Sequence, residues 1–431
     1  MSDAAKPPAR APMLSVREAL DFMLSAARAL HDTEIVPTLA ANGRVLAAAQ
    51  VSAINVPAAD NTQMDGYAVR AADCAGGDVS LRVAQRIPAG HAGSFLAPGT
   101  AARIFTGAMI PEGADAVVMQ EQCDSATPDL VTVRHTPKPG EWIRRVGEDI
   151  MAGAVILAAG TRLRSQELGL AASVGLARVP VFRRLRVAVF FTGDELVMPG
   201  ETPGDVLPPG AIYNSNRFLL RALLENLGCE LTDFGIVPDT LDATRATLRQ
   251  AALGNDLIIT SGGVSVGEED HIKPAVEAEG RLKMWQIAVK PGKPLAFGEV
   301  RRAAAHHTEH NAQHNLGTAF FLGLPGNPVS SFITFLLFVR PFIFKLQGVA
   351  GSLAPRSYPL RADFDWPKPD RRNEFLRVRL NDAGGLDLFP NQGSGVLTST
   401  AWGDGLVDNP PSTAIAAGDS VRFIPFSELL H

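Results

Sequence analysis

Asp256-Leu-Ile-Ile-Thr260 runs straight into Ser261-Gly-Gly-Val-Ser265-Val-Gly-Glu-Glu-Asp270, and the reading of this stretch decides the fold. A short apolar run closed by glycines reads as a buried strand, with a loop at its carboxyl end. Two more loops share the pattern. Lys290-Pro-Gly-Lys293-Pro lies just beyond Met284–Val289, and Ala319-Phe-Phe-Leu-Gly-Leu324 leads into Pro325-Gly-Asn327-Pro328-Val-Ser330. In an open α/β sheet, ligands bind outside the carboxyl ends of the strands. Gly262, Gly263 and Gly267 let backbone N–H groups approach an anion, and Lys290 and Lys293 supply charge. Ordinary turns explain the glycines and prolines but not two lysines and an acidic triplet at the same strand ends. A site that handles phosphate or another oxyanion is expected.

Around these loops, strand and helix alternate. Val187–Phe191 and Leu231–Val237 read as strands, Ser215–Leu227 and Leu241–Leu253 as helices, and Ile272–Glu279 as a further helix. Strands Met284–Val289, Pro294–Phe297 and Ala319–Leu324 complete a βαβ series, hence a mostly parallel sheet covered by helices. The flanks differ in texture. Ser15–Leu30 reads as a helix capped by Ser15, and Ser165–Val174 as a short helix before Gly175. Val79–Val83, Ala101–Phe105, Ala116–Met119 and Leu130–Val133 are short strand-like runs between turns, and Trp142–Leu163 returns in the same style. Phe375–Leu380, Gly385–Phe389 and Ser420–Ile424 suggest a small C-terminal β module. The class is α/β plus β, in several domains, as 431 residues exceed one core.

A net charge of −5 argues against a general nucleic-acid binder, which would show a basic face. Cys74, Cys123 and Cys229 lack metal or disulfide spacing, which fits a reducing cytoplasm. Met1–Pro12 has no apolar signal core. Val329–Phe344 is the most apolar run; Arg340-Pro341 interrupts it and it is short for a bilayer span, so a buried helix and no membrane association are expected.

Gly263-Val-Ser265-Val-Gly267 matches a nucleophile elbow in form. Ser261-Gly262-Gly263 separates that serine from its strand, and Glu268–Asp270 would oppose an oxyanion beside it, so the hydrolase reading is set aside. Asp194-Glu195, Asp239 and Asp270 each start a loop after a strand or the glycine run. Carboxylates beside bound phosphate need a bridging hard cation, and Mg²⁺ is the usual one. Helix capping is the alternative for Asp239 and Asp270. His306, His310 and His314 fall at helical spacing within Arg301–Leu316, but the stretch reads as a solvated connection between strands. Asn61-Thr-Gln-Met64-Asp65-Gly-Tyr67-Ala is a polar turn with an exposed carboxylate.

Met64–Val69, Phe105–Ala108, Thr192–Leu196, Ser261–Gly267, Lys290–Phe297 and Gly323–Ser330 resemble, in order and over nearly the whole chain, the signatures of the MoeA family of molybdopterin molybdenumtransferases, related to the E domain of gephyrin. Arg301–Leu316 is longer than is usual there. The resemblance implies an elongated dimer with a molybdopterin-adenylyltransferase-like α/β domain over 181–348. Its companions would be a linker domain from 14–50 and 136–180, a β-rich domain over 51–135 and a C-terminal β domain over 349–431. It implies insertion of molybdate into adenylylated molybdopterin with release of AMP. Asp270, with Glu195 and Asp239, would place Mg²⁺. Ser265, Gly262, Gly263 and Gly267 would hold phosphate. Lys290 and Lys293, with Ser330, the Pro325-Gly-Asn327-Pro328 turn and, more loosely, Arg377 and Ser399, would hold molybdate. For Arg377 the plain alternative is an outward position on a strand. Asp65 and Thr106 would complete the site of the other subunit in the homodimer, and a molybdopterin adenylyltransferase is the implied partner. Two rivals follow from the same likeness: that adenylyltransferase itself, which has no need of the flanking β-rich modules, and a gephyrin-like scaffold without catalysis.

Overall fold

The structure, a computed structural model, describes residues 13–201, 206–264, 271–302 and 317–430. The central series folds into a six-stranded sheet in the order Glu230–Val237, Arg186–Thr192, Leu257–Ser261, Thr318–Leu324, Pro294–Arg301, Gly280–Gln286. The first four strands run parallel. The last two are antiparallel to their neighbours, so the mostly parallel sheet carries an antiparallel margin. Chain length dictates this: a parallel crossover needs a dozen or more residues, and only Ile287–Lys293 joins the two marginal strands.

Alternate residues of the central strands serve opposite faces. Val187, Val189 and Phe191 join Leu220, Leu223 and Leu224 of helix Ser215–Asn226 in one buried cluster. Ala188 and Phe190 join Leu248 and Ala251 of helix Leu241–Gly254, and Ala275 and Val276 of helix Ile272–Glu279, in another. Burial on both faces explains why these strands read as unbroken apolar runs.

The apolar helix is longer than expected. It runs Pro328–Leu346, 19 residues, nearly all of them buried, straight through Arg340-Pro341. A wide π turn at Phe335–Val339 sits just ahead of Arg340. Proline lacks an N–H and crowds the carbonyl four residues back, and widening the helix there removes the conflict. Length alone would allow a membrane span; burial inside the molecule marks it as core. Met284–Val289, read as one strand, also divides. The sheet strand ends at Gln286, and Val289–Lys290 leaves the sheet to pair in parallel with Asn373–Glu374.

Helix Val16–Ala26 stops short of Leu30, although Ser15 and Glu18 form the expected capping box. Its Ala19 and Met23 pack into the α/β core. Ala41, Leu46, Leu157, Leu163, Ala171, Val179 and Val181 form a separate core from two distant stretches of chain. Gly66–Val69 lies inside a six-stranded β-rich sheet, and Asn373–Leu380 inside the C-terminal one. All three cysteines are free.

Phe297 is fully buried, with ring centroids 5.4 Å from Phe342, 6.1 Å from Phe22 and 6.3 Å from Phe320. Phe297→Ala should destabilise the α/β body by about 3–5 kcal/mol in urea unfolding. A loss below about 1 kcal/mol would show that this aromatic cluster is not what holds the antiparallel margin in place.

Candidate functional site

Parallel strands ending at Thr192, Val237, Ser261 and Leu324 send their loops to one edge of the sheet. The antiparallel strand Pro294–Arg301 begins at that edge, with Ala296 opposite Gly323. The lysine loop precedes its strand while the other loops follow theirs, yet all meet. With Arg372 and Gln392–Ser394 of the C-terminal body they enclose a cavity of about 720 Å³.

Glu195, Asp239, Gly262, Gly263, Lys290, Lys293, Pro325, Asn327, Pro328 and Ser330 all line it. Ser265, Gly267, Asp270 and the histidines at 306, 310 and 314 lie outside the described residues. Strand order fixes the layout along the edge. Asp239 comes first, then Glu195, then the Gly262-Gly263 loop, then Pro325–Pro328, and last the Lys290–Lys293 loop.

Gly262 directly follows the strand Leu257–Ser261, at φ +100, and an added Cβ would lie 2.4 Å from the carbonyl oxygen of Thr192, the last residue of the neighbouring strand. Only glycine fits there without moving the neighbouring loop. Asn216 ties two loops together: its Nδ2 donates to Ser261 Oγ (2.8 Å) and to the Gly326 carbonyl (2.7 Å). Ser261 Oγ donates in turn to the Pro325 carbonyl (2.9 Å). Asn216 was missed in the sequence because Tyr213-Asn-Ser-Asn216 reads simply as the start of a helix.

Asp239 is not a helix cap. Thr240, the residue directly before the first helical turn, takes that place, and its side chain accepts from the Ala243 N–H (3.3 Å). Asp239 itself lines the cavity. Its own N–H approaches Asp194 Oδ1 at 3.4 Å.

Lys290 was expected to offer a free charge, and it does not. Its Nζ lies 3.0 Å from Glu374 Oε1 and 3.5 Å from Asp370 Oδ2. Arg372 grips Asp370 with Nε and Nη2, both at 2.9 Å, and holds that carboxyl well below the usual range. Lys293, by contrast, makes no ion pair or side-chain hydrogen bond among the described residues.

Arg377 and Ser399 are brought together, but behind the cavity rather than on it. Arg377 is 1% exposed, so it is not an outward strand residue. Its guanidinium donates to Ser399 Oγ (3.1 Å) and to the carbonyls of Gly393 (3.2 Å) and Phe375 (3.3 Å). Burial pushes its pKa down to about 10. The pair braces the Gln392–Ser394 wall from beneath.

Asp65 and Thr106 also meet each other. The Thr106 hydroxyl (2.6 Å) and N–H (2.7 Å) both donate to Asp65 Oδ1 and hold its carboxyl below the ordinary value. Neither lines the cavity of its own chain. Among the described residues no group of three His, Cys, Asp or Glu side chains stands ready for a metal.

Comparison with known proteins matches this architecture from end to end. Residues 14–175 fit the MoeA N-terminal region (domain I and II), residues 188–345 the "Probable molybdopterin binding domain" and residues 359–426 the MoeA C-terminal region (domain IV). The molybdopterin molybdenumtransferase of Haemophilus influenzae is 39% identical over 424 residues, 97% of this chain and 100% of that protein. The chain belongs to the MoeA family. The protein of the same name from Nostoc sp. is 38% identical over 95% of this chain and 93% of its own. The crystal structure of the molybdopterin biosynthesis moeA protein from Pyrococcus horikoshii OT3 superposes with a TM-score of 0.79 at 28% identity, covering 96% of this chain and 100% of that one. This MoeA-family protein is therefore a transferase that inserts molybdenum in molybdenum cofactor biosynthesis, and its central sheet lies within the region that matches the probable molybdopterin binding domain.

Gly262→Ala places a methyl group against the Thr192 carbonyl in a backbone region that alanine disfavours. Molybdenum insertion should fall at least about tenfold, because misplacing a positioning loop by a fraction of an ångström loses oriented contacts. Circular dichroism should stay native. Full activity in the folded variant would show that the loop's path is not needed.

Proposed function

We propose that the cavity accepts adenylylated molybdopterin and molybdate, joins the metal to the dithiolene sulfurs and releases AMP. One observation carries this reading: the order of chemistries along the sheet edge, with carboxylates at one end, glycine backbone between, and lysine at the other. A nucleotide pyrophosphate lying along the Gly262-Gly263 loop would have its phosphates beside Glu195 and Asp239, and its remainder toward Lys293. Condensation of molybdate with two thiols releases one water, and hydrolysis of the pyrophosphate consumes one, so the coupled reaction balances.

In this reading Glu195 and Asp239, together with Asp270, hold Mg²⁺. Among the described residues the cavity lining offers oxygen donors and contains neither His nor Cys, which suits that hard cation. Bound there, Mg²⁺ would offset charge on the phosphates. Gly262, Gly263, Ser265 and Gly267 hold phosphate through backbone and hydroxyl groups. Lys293 and Ser330, on the stiff Pro325–Pro328 side, face molybdate, with Lys290 at the same wall and Arg377 and Ser399 keeping that wall in place. Asp65 and Thr106 serve the cavity of a second copy in a two-fold dimer, which accounts for a preformed carboxylate–threonine pair lying away from its own chain's cavity. An adenylyltransferase supplies the substrate, in the cytoplasm.

The test is to incubate the purified protein with adenylylated molybdopterin, molybdate and Mg²⁺ and to follow AMP. Release that requires molybdate is expected. AMP formation indifferent to molybdate, or consumption of ATP instead, would overturn the reading. The shared site has its own check. Asp65→Ala and Asp239→Ala homodimers should each be inactive, and a verified heterodimer of the two should regain up to half of the wild-type activity through its one intact site. A heterodimer without activity would place both residues in one chain's site.

A further inference from the structure

The short parallel ladder between Val289–Lys290 and Asn373–Glu374 sets Lys290 directly opposite Glu374. Glu374 is 1% exposed. Each of its contacts is a donor. Trp366 Nε1 (2.8 Å), the Asp370 N–H (3.0 Å) and, more distantly, Asn409 Nδ2 (3.4 Å) supply Oε2, while Lys290 Nζ (3.0 Å) supplies Oε1. A buried carboxylate with one adjacent ammonium holds that ammonium firmly, since separation leaves an uncompensated charge in a poorly solvated place.

On the cavity side of this wall the charges of Lys290 and its neighbours then cancel, the Arg377 guanidinium lying buried behind it. Lys290 and Arg372 are matched by Glu374 and Asp370. Lys293 stands on the same wall with no ion pair among the described residues. We propose that Glu374 is a positioning residue that fixes Lys290 and cancels its charge, so that Lys293 is the cation the site presents to the molybdate dianion. This rests on the oxyanion reading of the cavity given above. An ammonium has three N–H donors, so a neutralised Lys290 can still orient an oxygen by a hydrogen bond. It no longer adds long-range attraction. A single net cation suits an anion that must be surrendered to the sulfurs of the substrate rather than retained.

The proposal separates two roles for Lys290 that a single substitution confuses. Lys290→Ala bares the Glu374 carboxylate toward the anion and should raise the molybdate concentration for half-maximal activity by about tenfold. In the double variant Lys290→Ala/Glu374→Gln, the amide keeps the acceptor that Trp366 and Asp370 need, and the repelling charge is gone. It should need about fivefold less molybdate than Lys290→Ala alone, with kcat and the KM for the pterin substrate moving less than about twofold between the two, as expected when only the pairwise charge term changes. A double variant as impaired as Lys290→Ala would mean that the Lys290 charge acts on molybdate itself and would overturn the proposal. Lys293→Ala tests the underlying reading separately: an unchanged molybdate requirement there removes the oxyanion site from this wall, whatever Glu374 does. Should Lys290→Ala fail to fold, amine labelling of the wild-type protein without molybdate decides the matter. Lys293 should label readily and Lys290 slowly, and equal rates would overturn the proposal.

Discussion

Two residue pairs of parallel backbone, Val289 with Asn373 and Lys290 with Glu374, make the cavity a property of two bodies rather than one. Without that ladder the α/β sheet would present an open edge. With it, Arg372 and Gln392–Ser394 stand across from the glycine loops and close a wall. Other contacts reinforce the junction. The Asn373 N–H donates to the Ala288 carbonyl (3.1 Å), the Val329 N–H donates to the Ser394 carbonyl (3.0 Å), and Phe332 packs edge-on against Phe426 at 5.5 Å. Buried Arg377 then holds the far side of that wall through Gly393 and Ser399. Lys290 and Arg372 at the junction are matched by Glu374 and Asp370, and buried Arg377 is held by hydroxyl and carbonyl oxygens, which is the condition for keeping such groups out of water.

The antiparallel margin of the sheet has a similar consequence for function. In a fully parallel sheet the segment before Pro294 would lie at the edge away from the other loops. Reversal of that one strand delivers Lys293 to the edge where Glu195, Asp239 and Gly262 already are. A short connection that could not make a parallel crossover thus brings the cationic loop to the phosphate loop. In this MoeA-family transferase the order of strands becomes the order of chemistries.

Much of this was legible in the sequence. The glycine, lysine and proline loops announce themselves because turn chemistry is local, and the central strands because burial on both faces leaves long apolar runs. What stayed hidden depends on partners far along the chain. Lys290 meets Glu374 across 84 positions and Asn216 meets Gly326 across 110, so no spacing rule could show that the lysine is neutralised or the asparagine structural. Arg377 misled for a different reason. Alternation on Asn373–Leu380 suggests an outward arginine, but the strand is covered on both faces there, with Phe375 in one core and Leu376 and Val378 in another. The alternative reading of Asp239 as a helix cap misses by one residue: cap preference favours both Asp and Thr, and only backbone geometry selects Thr240.

The location of the oxyanion tests the whole account most directly. Crystals of the protein soaked in molybdate, with anomalous diffraction recorded at the molybdenum edge, should show one peak per chain inside the cavity. It should lie within hydrogen-bonding reach of Lys293 Nζ and the Ser330 side of the wall, and closer to Lys293 than to the paired Lys290 ammonium. A peak at the carboxylate end beside Glu195 and Asp239, or none in the cavity at saturating molybdate, would contradict it.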